Sequence, residues 1–286
     1  MIAALSGGGG VDMGGKWPWR RGDASYGRAM LLTRRHILAA AALPVLGGFA
    51  GRELEVPFVP TPHSLVERML DLAALERGDY LIDLGCGDGR IAVAAGRRGA
   101  RALGVDLDPL RIREAAAAAR IAGVESSVRF RRQDLFRTPI HEADVVALYL
   151  LPRINLALRP RLLTELHPGA RIVSHAFDMG DWRADAEERH DGRRIFLWVV
   201  PATAGGSWAL SEADGREAML EIEQRFQEVT GTLSGSGGTL ALRDAALRGR
   251  RLAFTVDGPS GPRAYVGTID GAGIAGESGW RARRLD

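Results

Sequence analysis

A glycine-rich loop between an apolar segment and a helical segment constrains the fold of this chain more than any other feature. The apolar segment is residues 80–84 (Tyr-Leu-Ile-Asp-Leu), and the loop is residues 85–90 (Gly-Cys-Gly-Asp-Gly-Arg). Glycines at such a junction allow a sharp turn and let a ligand approach the backbone. The loop therefore predicts a strand, a turn and a helix, with a ligand site where the strand ends.

Strand-like and helix-like segments alternate on both sides of this loop. Further strands are expected at residues 102–105, 128–131, 143–151 and 171–174, with helices between them. The first helix is expected to open with a capping box at residues 64–67 (Ser-Leu-Val-Glu). An Asp-Gly pair at residues 191–192 predicts a terminal hairpin. The predicted fold of residues 52–201 is α/β, a Rossmann-like doubly wound sheet with a terminal antiparallel hairpin.

Residues 202–286 differ in character, because they are rich in glycine and lack a helical period. Strand-like segments are found at residues 218–226, 239–242, 251–256, 265–269 and 280–283. Short strands separated by glycine turns are typical of a small antiparallel sandwich or barrel. We therefore expect a small C-terminal all-β module as a separate domain.

The N-terminal residues 1–51 resemble a targeting signal and not a folded domain. They carry six basic and two acidic residues, a net charge of +4, whereas the remaining residues sum to −1. After a disordered start, a basic segment that begins at Met30 and includes Arg34 and Arg35 precedes a 14-residue uncharged run. This pattern predicts a twin-arginine signal and therefore export or membrane association through residues 30–50. The alternatives are a short helix on the domain or on a membrane, and a cytoplasmic protein.

Composition excludes several classes of protein. The near-neutral charge after residue 51 indicates no nucleic-acid partner. No apolar run reaches the roughly 18 residues of a membrane-spanning helix, which argues against a multi-pass membrane protein. The single cysteine and the scattered histidines predict no metal site.

Acidic residues at three strand ends indicate which cofactor the loop binds. The third glycine comes one residue earlier than in the Gly-x-Gly-x-x-Gly pattern of dinucleotide sites, and Asp83 stands two residues before the first glycine. An acid disfavours the anionic pyrophosphate of a nicotinamide cofactor but favours the sulfonium and ammonium of S-adenosylmethionine. Asp106 is placed to accept from ribose hydroxyls, and Asp134 to accept from an adenine amino group. The structural alternatives are a helix N-cap for Asp106 and a turn residue for Asp134.

The predicted cofactor site combines these acids with the glycines and with apolar neighbours. Cys86, between two glycines, is interpreted as a small filler and not as a nucleophile. The predicted residues are Asp83, Gly85, Cys86, Gly87, Gly89, Asp106, Leu107, Asp134 and Leu135.

Residues 83–89, residues 105–108 (Val-Asp-Leu-Asp) and Asp134 resemble the cofactor motifs of class I S-adenosylmethionine-dependent methyltransferases. Three other segments resemble the bacterial relatives of the ATP synthase c-subunit lysine methyltransferases. They are residues 57–62 (Pro-Phe-Val-Pro-Thr-Pro), 148–152 (Leu-Tyr-Leu-Leu-Pro) and 174–182 (Ser-His-Ala-Phe-Asp-Met-Gly-Asp-Trp). The resemblance covers residues 55–200 and implies methyl transfer from S-adenosylmethionine to a nitrogen, with a protein lysine as the first choice.

Three side chains at the ends of the fourth and fifth predicted strands are the catalytic candidates. Tyr149 is expected to orient the acceptor amine, and His175 or Asp178 to take a proton or hold the acceptor, since ligands lie beyond the carboxyl ends of such strands. The alternatives are that Tyr149 only packs and that Asp178 caps a turn. The acceptor is a protein or a small molecule. The alternative function is a non-catalytic S-adenosylmethionine-binding or scaffold protein that uses the β tail for interactions.

Overall fold

Two β-sheets and four helices make up the part of the chain that the computed structural model describes, residues 58–285. The predicted signal of residues 30–50 lies outside these residues. The helices are α1 (His63–Leu72), α2 (Arg90–Arg97), α3 (Pro109–Ile121) and α4 (Pro152–Glu165). None of these described helices has the length and apolar character needed to cross a membrane.

The first sheet has seven strands in the order β3-β2-β1-β4-β5-β7-β6. Its strands are β1 (Tyr80–Leu84), β2 (Arg101–Asp106), β3 (Val128–Arg132), β4 (Val145–Leu148), β5 (Arg171–His175), β6 (Ala186–His190) and β7 (Arg193–Val199). Strands β1 to β5 are parallel, and β7 runs antiparallel between β5 and β6. The predicted Rossmann-like sheet with a terminal hairpin is confirmed. Because the strand order reverses between β1 and β4, a crevice opens at their carboxyl ends.

Apolar side chains cover both faces of this sheet. One layer joins α1, α2 and α3 to the sheet through residues such as Leu70 and Ile91. The other layer joins α4 to the sheet and contains Leu158, Trp182 and Trp198. Strand β4 is buried along its whole length, which explains its unbroken apolar sequence.

The N-termini of α3 and α1 show whether the predicted capping signals form. Asp108 caps α3, since its carboxylate accepts a hydrogen bond of 2.7 Å from the Leu110 amide and Pro109 occupies the first turn. The predicted capping box at Ser64 is wrong. Helix α1 already begins at His63, and the Ser64 hydroxyl donates to Asp191 in the β6–β7 turn at 3.3 Å.

The second sheet has nine strands in the order β11-β10-β9-β8-β16-β15-β14-β13-β12. They are β8 (Gly206–Ser211), β9 (Glu217–Arg225), β10 (Glu228–Gly235), β11 (Gly238–Ala241), β12 (Arg243–Arg248), β13 (Arg251–Gly258), β14 (Gly261–Asp270), β15 (Gly273–Gly276) and β16 (Arg281–Arg284). Each strand pair is antiparallel, and β10 and β11 approach β12 and β13, so the sheet curls around an apolar interior. Large aromatic side chains fill that interior, among them Trp208, Phe254, Tyr265 and Trp280. The all-β nature of this module is confirmed, whereas its status as a separate domain stays a prediction.

Candidate functional site

A cleft of about 930 Å³ lies at the carboxyl ends of β1, β2 and β4. The glycine loop forms its floor, and Tyr149, Leu150 and Phe177 form one wall. The segment of residues 58–62, called the strap here, borders the opening through Phe58 to Thr61. The cleft is thus at the reversal point of the strand order, where ligands of open α/β sheets bind.

Two glycines of the loop leave room that a side chain would fill. Gly85 and Gly87 have φ angles of +81° and +52°, a conformation that costs other residues free energy. A Cβ atom at Gly85 would lie 2.8 Å from Leu150, and one at Gly87 would lie 2.3 Å from the ring of Phe58. The positive φ angles and the close approach of Leu150 and Phe58, two residues of the cleft lining, therefore require glycine at both positions.

Asp83, the fourth residue of β1, is a buried carboxyl group at the base of the cleft. Its side chain is 1% exposed, and its Oδ2 atom has no hydrogen-bond partner among the described residues. Burial raises the pKa of Asp83 to about 8, and the nearby charges of Asp106 and Asp88 raise it further. A cationic group in the cleft would supply the partner that this carboxylate lacks.

Asp106 ends β2 at the side of the cleft, with both carboxylate oxygens engaged by backbone amides. Oδ2 accepts from the Gly87 amide at 3.0 Å, and Oδ1 accepts from the Asp108 amide at 2.9 Å. Each oxygen keeps a second lone pair. The residue therefore braces the glycine loop and can still accept hydrogen bonds from a ligand. Leu107 lies beside it in the lining.

The remaining predicted cofactor residues differ in how they meet the cleft. Leu135 and Cys86 belong to the lining, whereas Asp134 does not. The Asp134 carboxylate accepts from the Phe136 amide at 2.8 Å and caps the short 3-10 turn of Leu135–Arg137. Burial raises the pKa of the Cys86 thiol, which keeps it protonated.

Gly89 faces away from the cleft. A Cβ atom at this position would lie 2.6 Å from the Phe130 ring and 2.7 Å from Ala115. Its glycine serves the close packing of α2 on β3 and α3.

The three catalytic candidates are not equivalent in the structure. Tyr149 lines the cleft, while His175 lies behind it with its ring stacked on the Tyr149 ring at a centroid distance of 3.8 Å. Asp178 is exposed outside the lining, and its carboxylate accepts from the Gly180 amide at 3.1 Å, as in a turn.

His175 is a buried and neutral imidazole. It is 1% exposed, and its Nδ1 atom lies 3.0 Å from the Thr61 hydroxyl of the strap. Burial lowers the pKa of His175 to about 4, with a smaller contribution from Arg193. Such a group is poorly suited to take a proton near pH 7, but it fixes the position of the Tyr149 ring.

Sequence reasoning missed three residues that shape the cleft. Phe177 follows β5, with its ring centroid 6.4 Å from that of Tyr149. Phe58 lies under Arg111, whose guanidinium carbon is 4.4 Å from the ring centroid. Arg90 pairs with Asp88 and donates to the Thr61 carbonyl at 2.7 Å, which ties the strap to the loop. The aromatic residues stand in segments that carried the family resemblance, so their position in the sequence was the available signal.

Comparison with known proteins shows similarity to methyltransferases. The family model described as the ANTKMT methyltransferase domain matches residues 83–186. A protein-lysine N-methyltransferase of Saccharolobus islandicus (strain REY15A) is 38% identical over 151 residues, 51% of this chain and 94% of that protein. The ATP synthase c-subunit lysine N-methyltransferase of Mus musculus is 33% identical over 192 residues, 60% of this chain and 76% of that protein. A crystal structure of an RNA methyltransferase from Salinibacter ruber with S-adenosyl-L-homocysteine shares 48% identity, with a TM-score of 0.49, over 50% of this chain and 94% of that chain.

The parallel sheet with its terminal hairpin, the cleft at the glycine loop and the two lysine methyltransferase relatives identify the chain as a class I S-adenosylmethionine-dependent methyltransferase. Within that class, the chain belongs to the family of the ANTKMT methyltransferase domain. The cleft suits the cationic cofactor of this family, because the unpartnered Oδ2 atom of Asp83 is an acceptor for a positive group.

Proposed function

We propose that this protein transfers a methyl group from S-adenosylmethionine to the side-chain nitrogen of a lysine in another protein. Two observations support the proposal. Relatives that the chain matches over most of their length are named as lysine methyltransferases. The aromatic side chains of Tyr149 and Phe177 in the cleft wall carry it, because their rings offer an apolar surface to the aliphatic stem of a lysine.

We assign the cofactor to the side of the cleft formed by β1 and β2. When bound, it supplies an electrophilic methyl group on a sulfonium. Asp83 would hold the positive part of the cofactor, and Asp106 would accept from the ribose hydroxyls. Gly85 and Gly87 would offer backbone contacts. A contact of Asp134 with the adenine stays a prediction, since its carboxylate is engaged as a cap.

The acceptor nitrogen must be neutral to attack a methyl group. Desolvation against the rings of Tyr149 and Phe177 would disfavour the charged ammonium and lower the pKa of the incoming lysine. The Tyr149 hydroxyl would then orient the free amine, and His175 would hold the Tyr149 ring through their stacking contact. Alignment of nucleophile and methyl group is the main catalytic contribution required, and such positioning can supply ~7–11 kcal/mol.

The test is a labelled-methyl assay on proteins from a lysate of the source organism. The chain has a single lysine, Lys16, so a Lys16→Arg background removes methylation of the enzyme's own lysine. We compare this background with Lys16→Arg/Tyr149→Phe, which keeps the ring and removes one hydroxyl. Label on lysine in a target protein is expected, with a rate reduced about tenfold or more by Tyr149→Phe and an unchanged cofactor affinity.

The distribution of label distinguishes the alternatives. Label on RNA, lipid or a small molecule, with none on lysine, would contradict the lysine assignment and leave the methyltransferase class intact. Equal rates for the two variants would remove Tyr149 from the mechanism. Cofactor binding without label on any acceptor would favour the binding-protein alternative.

A further inference from the structure

We propose that the C-terminal β module positions the acceptor side of the cleft through the turn between β9 and β10. The proposal rests on the proposed function, because it concerns the site assigned to the lysine. The segment it acts on is residues 177–182, called the acceptor loop here, which begins at the cleft-lining Phe177 and ends at Trp182. The module lies beyond the residues that the family model matches.

Gln227 makes the central contact of this turn. The indole Nε1 of Trp182 donates to Gln227 Oε1 at 2.9 Å, and Gln227 Nε2 donates to the Arg183 carbonyl at 2.6 Å. Trp182 is fully buried, so loss of its partner would leave a buried indole N–H unpaired. The amide of one module residue thus satisfies two groups at the end of the acceptor loop.

Charges and rings reinforce the same contact. Asp181 forms ion pairs with Arg159 of α4 and with Arg225 of the module, the latter at 2.7 Å. The ring of Phe226 stacks on Trp182 with centroids 5.9 Å apart, and the Arg159 guanidinium lies 5.5 Å from the Phe226 centroid. The acidic side chain of the loop is therefore held between the first sheet's helix and the module.

The opposite end of the acceptor loop is fixed by α4. Asn155 Nδ2 donates to the Phe177 carbonyl at 3.2 Å and to the Asp178 carbonyl at 3.3 Å. A β-bridge between Met179 and Trp182 closes the loop upon itself. Only residues 178–181 separate Phe177 from Trp182, so we expect a displacement of Trp182 to strain the segment next to Phe177, which forms the cleft wall.

The interior of the module is filled by its own side chains. Aromatic and aliphatic side chains pack its core, with Trp208 and Tyr265 fully buried. The turn at residues 225–227 is the part of the module that reaches the acceptor loop. We therefore assign Gln227 and Arg225 as positioning residues for acceptor binding, and not as catalytic residues.

The test uses point variants in the full chain. Gln227→Ala removes the two hydrogen bonds, and Arg225→Ala removes the ion pair with Asp181. The matched controls are Glu228→Ala, an exposed neighbour of Gln227, and Arg216→Ala, whose ion pair with Asp214 lies elsewhere in the module. Three quantities are measured for each variant: the cofactor Kd, the kinetic constants for a labelled protein acceptor, and hydrogen exchange of residues 177–182.

We expect Gln227→Ala to raise the KM for the acceptor about tenfold, while the cofactor Kd and the controls stay within about twofold of the parent. Exchange of the acceptor loop should become faster, with that of β1 and β2 unchanged. A purely structural role would instead weaken cofactor binding and speed exchange throughout. Unchanged exchange of the acceptor loop in both Gln227→Ala and Arg225→Ala would overturn the proposal, whatever the acceptor is.

Failure of the proposed function would be seen separately. Hydrogen exchange needs no acceptor, so it tests the coupling between module and loop even if the parent protein labels no lysine. Faster loop exchange with methylation of a different acceptor class would support the coupling and contradict only the lysine assignment. Faster loop exchange with an unchanged KM for a confirmed protein acceptor would contradict the positioning role.

Discussion

At the scale of single residues, Asp83 lowers the stability of the free protein but provides a negative charge for a cationic ligand. Its carboxyl group is buried, one oxygen has no hydrogen-bond partner among residues 58–285, and such a group is costly when ionised. Its raised pKa of about 8 expresses that cost. A cationic ligand would pair with the same charge, so we expect Asp83 to face the positive part of the cofactor.

We expect the affinity for S-adenosylmethionine to rise with pH. The carboxyl of Asp83 is protonated in the free protein below about pH 8 and must ionise to face a cation. Affinity should therefore increase by close to tenfold per pH unit between about pH 5.5 and 7.5, where the amino group of the cofactor stays mostly charged. Calorimetry measures this increase and the proton released on binding.

Methylthioadenosine, which lacks both positive charges, is the matched ligand for this experiment. Its affinity should stay nearly constant over the same range, since no ion pair with Asp83 forms. If the two ligands show the same pH dependence, another group controls binding.

We expect Asp83→Asn to stabilise the cofactor-free protein at high pH and to abolish tight cofactor binding. The folded-state pKa of about 8 exceeds the unfolded value of about 3.9. The contribution of Asp83 to stability is thus complete below about pH 4 and is lost as pH rises towards 8. Relative to the parent, the variant should gain up to about 4 kcal/mol between pH 5 and pH 8.

Urea unfolding at the two pH values measures this difference. A free energy of unfolding that changes with pH in the same way for parent and variant would show that Asp83 does not titrate in this window.

At the scale of elements, local sequence signals predicted the features that depend on local backbone geometry, namely turns and helix caps. The glycine loop and the Asp108-Pro109 start of α3 have their predicted conformations because turn geometry and capping are local. The capping box at Ser64 failed because a tertiary partner, Asp191, takes its hydroxyl. Strands such as β8 and β10 likewise depend on pairing across the sheet. Their glycines and polar residues conceal the alternation of apolar and polar residues that would predict a strand.

The candidate site was predictable only in part for the same reason. Asp83 and Asp106 stand at strand ends, where topology alone brings them together. The stacking of His175 on Tyr149 depends on side-chain packing between β4 and β5, and no spacing in the sequence reveals it. Asp134 could be either an acceptor or a cap on sequence grounds, and its observed hydrogen bond is that of a cap.

A substitution in the strap tests whether this segment supports His175 and, through it, the Tyr149 ring. Thr61→Val keeps the shape of the side chain and removes the hydroxyl that meets His175. We expect a loss of about 1 kcal/mol in stability, because a buried polar atom loses its partner. We also expect a lower kcat at nearly constant cofactor Kd, because the support of the Tyr149 ring is weakened.

Thr164→Val is the control for this substitution, since the exposed Thr164 hydroxyl donates within α4 to the Pro160 carbonyl. It should leave kcat unchanged. An equal loss of kcat in the two variants would show a general effect of removing a hydroxyl.

At the scale of the whole molecule, the two sheets meet at more than one place. Besides the Gln227 contact, Gly249 in the β12–β13 turn packs against the first sheet, where a Cβ atom at this position would lie 3.1 Å from the Gly169 Cα atom and 3.4 Å from the Val199 side chain. Contacts of this kind couple the unfolding of the second sheet to that of the first. Ligand binding to the first sheet should therefore also stabilise the second sheet against unfolding.

We expect S-adenosylhomocysteine to slow hydrogen exchange in both sheets. At a ligand concentration of 100 times the Kd, amides that exchange by global unfolding should slow by about 100-fold, which corresponds to ~2.7 kcal/mol. The measurement compares β1 of the first sheet with β13 of the second. Protection of β1 alone would show that the module unfolds independently.

The buried carboxylate of Asp83 also has a consequence for the lifetime of the protein in a cell. Without its cofactor the protein retains a buried group that opposes folding near neutral pH, and a bound cation removes that burden. Proteases degrade chains in proportion to the time they spend unfolded. We therefore expect the cellular level of this protein to follow the supply of methyl donor, so that starvation for methionine depletes the enzyme as well as its substrate.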